Sequence, residues 1–394
     1  MSREEPRITI VHLAVDYNTP QRPRTTRAIE WTIGELGEFD NVVVAYRRTT
    51  RRGERETEVA TDTVKKLYDF PFFGLPLGLG LHGAMRAAAK RTIRRLEADG
   101  IRPRIVHAHK LTFEGLAGYY VARHFGVPLL VSLRGEVETK VFRFKPQLRP
   151  FLRKVSRRAA ALYFVSAWFR DEFRRHVPGL ETRERLLPNI VRNIAPVIDV
   201  QPANDRFVTV LDLNTWKRKG VTWLLEGFAL ALAREPSLKL DLIGGGSEES
   251  VGLVRKLIEE RKLGEAVSLL GPMPNAQVLA RLPAYRALLL PSVNETFGMV
   301  FVEALFAGIP VLFTEGTAID GYLGGLDVGR TVPPRDASAI ADAILALWQD
   351  PEGYRARIAA AGPALFAAFD PEASITRYRD DIRAAVAGAL VGQD

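Results

Sequence analysis

Two features predict an α/β protein of two domains, each built on a parallel sheet. Short, fully apolar runs alternate with helix-length segments, and the alternation starts afresh at mid-chain. Apolar runs with no polar alternation suit strands covered on both faces, as parallel sheets are. In the first half, residues 8–13, 42–45, 105–107, 128–132 and 162–165 read as such strands. Residues 24–36, 85–99 and 115–125 between them read as helices. After a poorly periodic stretch at 190–205, which holds Pro196 and Pro202, new strands read at 207–211, 238–243, 267–270, 287–290 and 310–313. The helices of this half read at 221–234, 248–261, 275–282 and 299–307. The expected domains are therefore 1–198 and 199–370. Residues 371–394 open with a helical pattern that no strand follows, and this segment is expected to cross back to the first domain.

Composition narrows the class. Of 394 residues, 47% are apolar and 26% charged, ordinary proportions for a globular protein with a core. Cysteine is absent, which excludes disulfides and thiolate metal sites. The start of the chain lacks the pattern of a secretory leader, and no apolar run reaches the ~18 residues of a membrane span. A cytoplasmic protein is expected. The net charge of +9 favours polyanionic partners, whether nucleic acid, lipid headgroups or phosphorylated substrates.

The most informative segment runs from Pro291 to Leu305. A strand ends, a polar loop follows, and a helix begins near Gly298. Strand carboxyl ends and helix N-termini are where open α/β sheets bind phosphate-bearing ligands. Glu295 on the loop and Glu303 one turn into the helix lie eight residues apart. Carboxylates beside a phosphate site make sense if they face hydroxyls, which a sugar and a ribose supply.

This segment, with residues 307–312 after it, resembles the Glu-x7-Glu signature of the retaining glycosyltransferases numbered family four, and the resemblance extends over residues 207–346. It implies the two-domain GT-B fold, with Rossmann-like domains facing across a cleft. It assigns Glu295 to the transferred sugar and Glu303 to the ribose, and gives the diphosphate to the backbone of Phe297, Gly298 and Met299. Lys219 and Gly220 match the family's Lys-Gly before a helix, so Lys219 is expected to face the diphosphate. The family arginine is missing from residues 212–215, and Arg218 or Lys217 is the candidate substitute. Gly244, Gly245 and Gly246 stand where the family has a glycine-rich loop beside the donor, and Met273 is a candidate contact to the base. In the first half, Asn18 and Thr19 occupy the place of a sugar- and acceptor-side loop. Arg134 replaces a family histidine and is taken as catalytic or acceptor-binding, with His109 on the acceptor side.

The resulting expectation is a retaining glycosyltransferase that moves a hexose-type sugar from a nucleotide-sugar to a glycan or lipid-linked acceptor. It needs no metal and no cofactor, and nucleic acid is not an expected partner. A nucleotide-sugar epimerase would need carboxylates placed for elimination. A nucleic-acid-binding protein would account for the charge but not for the glutamates. Residues 140–160 hold eight lysines and arginines, no acidic residue, and interleaved Phe142, Phe144, Leu148, Phe151, Leu152 and Val155. With the apolar stretch 70–81, this composition reads as a membrane-surface segment on the inner face of the plasma membrane.

Overall fold

The computed structural model describes residues 7–22, 26–51, 53–75, 78–192, 194 and 204–388. The chain divides into two units. One comprises Met1–Val165, Phe169–Ile190 and Pro371–Asp394, the other Ser166–Trp168 and Val191–Asp370.

The first unit begins β1 (Thr9–Ala14), α1 (Ala28–Gly34), β2 (Asp40–Thr49), β3 (Thr57–Val59), β4 (Lys66–Phe73), α2 (Leu81–Ala98), β5 (Ile105–Ala108) and α3 (Phe113–Phe125). It continues with β6 (Leu129–Leu133), α4 (Glu136–Phe144), α5 (Arg149–Arg158), β7 (Ala159–Phe164), α6 (Arg170–His176) and β8 (Glu184–Leu186). The eight strands order as β3-β4-β2-β1-β5-β6-β7-β8, with every pair parallel except β3 with β4. Ile10, Val11, Val106, Leu130 and Val131 have no exposed surface, as helices on both faces require.

Three sequence expectations need correction here. The helix expected over 24–36 is only Ala28–Gly34, with residues 24 and 25 outside the described set. Gly34 and Gly37 bracket its end, and glycine gains little from helical order. Residues 70–81 are not an exposed apolar stretch. Phe70 and Phe72 are buried in β4, which lies between β2 and β3, and among the described residues of this stretch Leu75 and Leu79 are the large apolar side chains that stand out in solvent. Pro71 disguised this strand, because proline is rare in inner strands. Residues 140–160 are likewise not one interfacial segment. Phe142, Leu148, Leu152 and Val155 are buried in the core of the unit, and of the apolar set Phe144 alone is strongly exposed. Pro146 and Pro150 break the stretch into α4, a single 3-10 turn and α5.

The second unit runs β9 (Arg206–Val210), α7 (Val221–Leu232), β10 (Lys239–Ile243), α8 (Glu248–Glu260), β11 (Val267–Gly271) and α9 (Asn275–Arg281). After these come β12 (Leu288–Leu289), α10 (Met299–Phe306), β13 (Val311–Thr314), β14 (Gly329–Val332), α11 (Ala337–Gln349) and α12 (Pro351–Phe369). The order β11-β10-β9-β12-β13-β14 is parallel throughout, the doubly wound order whose direction reverses between β9 and β12. Helix starts are marked by side-chain caps: Ser247 accepts from the amide of Ser250 and Asp336 from that of Ala339.

α13 (Pro371–Val386) belongs to the first unit. Its Ile375, Tyr378, Ile382 and Ala385 form one cluster with Ile10, Ile105, Leu130 and Tyr163. Polar contacts fix its register. Tyr163 donates to Asp381 at 3.0 Å, Arg383 pairs with Glu38 at 2.8 Å, and the Tyr378 hydroxyl bonds to Nδ1 of His107. No helix among the described residues is long and apolar enough to cross a membrane. Tyr378→Phe leaves a buried ring nitrogen without a partner. It should lower unfolding free energy by about 1–3 kcal/mol in urea titration, and an unchanged midpoint would show that this bond does not hold the helix.

Candidate functional site

Where strand order reverses in an open parallel sheet, the loops leaving the two central strands turn to opposite faces and open a crevice. In the second unit those strands are β9 and β12. The loop after β9 carries Lys217, Arg218 and Lys219, and the loop after β12 carries Asn294 and Glu295. They pack tightly: a Cβ on Gly220 would stand 2.0 Å from the carbonyl oxygen of Pro291, and its φ is +73°. The amide of Val293 donates to the carbonyl of Arg218 at 2.9 Å, and the Arg218 guanidinium donates to the carbonyl of Asn294 at 3.2 Å. This stitching brings the Lys219 ammonium onto the Glu295 carboxylate as an ion pair. Arg218 thus braces the loop, while Lys219 and Glu295 present the paired charges.

Gly298 caps α10 with φ +69°, and a Cβ there would meet the Phe301 ring at 2.5 Å. The first-turn amides from Met299 onward have no partner earlier in the helix, as at any helix start. Phe297 offers only its backbone, since its ring is buried against Tyr322 and Phe369. Glu303 is half-buried one turn into α10, and burial raises its pKa above the ordinary carboxylate value. Asn275 donates to it at 3.2 Å. Met273, half-buried beyond β11, lies two residues before Asn275, the hydrogen-bond partner of Glu303.

The glycine run after β10 is demanded by packing. A Cβ on Gly244 would lie 1.8 Å from the carbonyl oxygen of Leu211, and one on Gly245 3.0 Å from Pro272. A Cβ on Gly246 would lie 3.0 Å from Leu213, and the amide of Leu213 donates to the carbonyl of Gly245 at 2.8 Å.

In the first unit the order reverses at β1 and β5, and again an ion pair marks the place. Asp16, two residues past β1, pairs with Lys110, two past β5, and with Arg22 at 3.5 Å. Burial alone would raise the Asp16 carboxyl, but Lys110, Arg134 and Arg22 together hold it below the ordinary range. Arg134, at the end of β6, is buried; it donates to the carbonyl of His109 at 3.2 Å and to the side chain of Asn189 at 3.3 Å. Glu114 and Glu138 stand fully buried nearby, each with one oxygen accepting a backbone amide, from Val15 and Leu111. Burial pushes Glu114 up to about 7, with Lys110 acting against it. Lys110, Glu114 and Glu138 escaped the sequence reading. The usable signal for Lys110 was a cation just past an apolar strand.

The acceptor-side candidates divide. The amide of Asn18 donates to Glu30 at 3.2 Å, and the Thr19 hydroxyl donates to Asp69 at 3.0 Å, so both help to fix the β1 loop. His109 lies in a buried trio with His12 and His107 whose ring nitrogens lie within 4.8 Å of one another. Asn41 donates its amide to the carbonyl of Leu36, so its oxygen accepts from Nε2 of His12; Nδ1 of His12 then accepts from Nε2 of His109 at 3.1 Å. His107 engages Ser132 and Tyr378. Both nitrogens of His12 and of His107 are spent on hydrogen bonds, and burial lowers all three pKa values, His12 to about 4. Burial thus keeps the three imidazoles neutral, with His12 bonded to His109 and His107 bonded apart from them to Ser132 and Tyr378.

Residues 10–189 match the family model described as glycosyl transferase 4-like domain, and residues 204–350 match that described as glycosyl transferases group 1. The chain belongs to the group 1 glycosyl transferases. This group 1 glycosyltransferase is 29% identical over 223 residues to phosphatidyl-myo-inositol mannosyltransferase of Mycolicibacterium smegmatis, a match covering 54% of each chain. It therefore spans about half the length of that relative. Its fold is similar to that of sucrose-phosphate synthase from Thermosynechococcus elongatus, with TM-score 0.72 at 19% identity over 97% of this chain and 100% of the other. It is also similar to Anabaena HepE, solved with UDP and glucose, with TM-score 0.66 at 15% identity over 95% and 99%. These likenesses show the GT-B fold.

The buried Glu114 makes a test of the first-unit cluster. Its folded pKa lies above the unfolded value, so the stability linked to its proton is present below about pH 4.5 and lost as pH rises through about 7. Glu114→Gln should therefore gain on the wild type by on the order of 1–3 kcal/mol between pH 4.5 and 8 in denaturant titrations. A pH-independent difference would show that the carboxyl is not buried as described.

Proposed function

We propose that this glycosyltransferase moves a hexose-type sugar from a nucleoside diphosphate donor, with retention at the anomeric carbon, to a hydroxyl of a glycan or lipid-linked acceptor. The observation that carries the reading is the Lys219–Glu295 pair at the strand-order reversal of the second unit, beside the N-terminus of a helix that bears Glu303. Lys219 and the amides opening α10 face the diphosphate and stabilise the charge that develops on it. Glu295 accepts hydroxyls of the sugar, and Glu303 accepts those of the ribose. The bond from the anomeric carbon to the diphosphate oxygen breaks and a bond to the acceptor oxygen forms on the same face. The acceptor proton passes to the departing diphosphate. The lysine and the helix N-terminus supply the positive charge, so the reaction proceeds without a divalent metal. The acceptor-side groups are Arg134, Asn18, Thr19 and His109, joined by Lys110, in a cytoplasmic enzyme whose acceptor is presented at an anionic membrane surface.

A thermal-shift panel of nucleotide-sugars against DNA, run with excess EDTA, tests the reading. At least one nucleotide-sugar should raise the melting temperature and be turned over; stabilisation by DNA alone, or activity lost in EDTA and restored by a divalent ion, would overturn it.

The two glutamates should separate in calorimetry and kinetics. Glu303→Ala should weaken nucleoside diphosphate and nucleotide-sugar alike by about 1.5–3 kcal/mol, the range of a hydrogen bond to a charged group. Glu295→Ala should cut turnover strongly with nucleoside diphosphate affinity nearly intact. Equal effects of the two substitutions on nucleoside diphosphate binding would reject this division of labour.

A further inference from the structure

Between β7 and α6 the chain makes a three-residue excursion. Ser166–Trp168 belong to the second unit, although the residues on either side belong to the first. The excursion ends on the loop that carries Glu295. The Ser166 hydroxyl donates to the carbonyl of Thr296 at 2.7 Å, and the Trp168 indole N–H donates to the same carbonyl at 3.2 Å. Ser166 is buried and Trp168 half-buried. Two donors from 130 and 128 residues upstream thus meet on one acceptor.

The turn after β13 holds the loop from a second side. The amide of Ala318 donates at 3.0 Å to the carbonyl of Glu295, one residue before Thr296. Ala318 is buried at φ +55°, a left-handed conformation uncommon for any residue but glycine. Gly321, at φ +81°, lies against the excursion itself. A Cβ there would stand 3.1 Å from that of Ala167 and 3.2 Å from the amide nitrogen of Trp168.

Carbonyls held in this way decide what the same peptide planes present on their other side. In a trans peptide, as every described one here is, carbonyl and amide point in opposite directions. Holding the Thr296 carbonyl therefore fixes the direction of the Phe297 amide, which makes no hydrogen bond among the described residues. Holding the Glu295 carbonyl fixes the backbone from which its carboxylate reaches Lys219. An amide stabilises developing charge best when it is aimed before the charge appears. Donors packed behind the loop can do the aiming without touching a ligand.

We propose that Ser166 and Trp168 are positioning residues of the transfer site, which aim the Phe297 amide at the diphosphate and hold Glu295 in place. The proposal rests on the transfer reading above. The test uses the full chain, with UDP, GDP, ADP and dTDP as probes in calorimetry. Ser166→Ala and Trp168→Phe each leave one donor on the carbonyl and should weaken the best-bound probe by less than about threefold, whereas the double variant should weaken it by at least about tenfold, beyond the product of the singles. Ser166→Thr in the Trp168→Phe background returns a hydroxyl and should restore affinity to within about threefold of the wild type. In hydrogen exchange followed by mass spectrometry, peptides covering residues 295–301 should exchange faster in the double variant, with the rest of the second unit unchanged. If the double variant does not fold, Gly321→Ala takes its place. It keeps both donors but presses on the segment that carries them, and should weaken the probe by at least about fivefold. Wild-type affinity in the double variant, or in Gly321→Ala where that stands in, would overturn the proposal, as would a loss that Ser166→Thr fails to restore. A wild type that binds none of the four probes would reject the transfer reading and this role with it. Wild-type binding that the variants leave untouched rejects the role alone.

Discussion

An ammonium and a carboxylate held together where strand order reverses organise each half of this protein. In the first unit the pair is Lys110 with Asp16, beyond β5 and β1; in the second it is Lys219 with Glu295, beyond β9 and β12. The signs are exchanged between the units, so the architecture asks for a pair of opposite charges and leaves its direction open. Taking such charges partly out of water is costly unless each finds the other. The sheets beneath are mainly apolar, with His12, Asp69, His107 and Asp241 among the buried polar exceptions within their strands.

The loops bearing these charges approach so closely that side chains are excluded at chosen points. Gly220 lets the β9 loop touch Pro291, and Gly244 lets the β10 loop touch Leu211. The glycines near the candidate donor site therefore act first on the protein itself, by setting how near one strand end lies to the next. A larger residue at either place would displace the loop that carries Lys219 or the loop that faces it.

The second unit was legible in the sequence from β9 to β13, whereas β14, α11 and α12 after them went unread. Most of its helices are announced by a cap or a glycine, α9 after Pro274 being an exception; its inner strands are short and mainly apolar, and Glu295, Glu303 and Lys219 sit in compact local patterns. The first unit was harder to read for physical reasons. β4 carries Pro71, its partner β3 has only three residues, and the apolar side chains of residues 140–160 are interleaved with cations although most of them face the core. The groups that matter at its strand ends meet over long separations. Asp16 and Lys110 lie 94 residues apart, and His12 and His109 lie 97 apart. Periodicity registers neighbours along a helix or strand, and it carries no trace of such encounters.

The return of α13 to the first sheet has a consequence for synthesis. Tyr378 meets His107 across 271 residues, and between them lies the whole of the second unit. A ribosome therefore releases every strand of the first sheet long before the helix that covers Ile105, Leu130 and Tyr163. The unit translated first is the last to be closed, while the one translated second is continuous apart from Ser166–Trp168 and has its strands to hand as they emerge. Throughout that interval the nascent chain carries a strip of bare hydrocarbon on its first sheet, the kind of surface that a chaperone shields or that leads to aggregation.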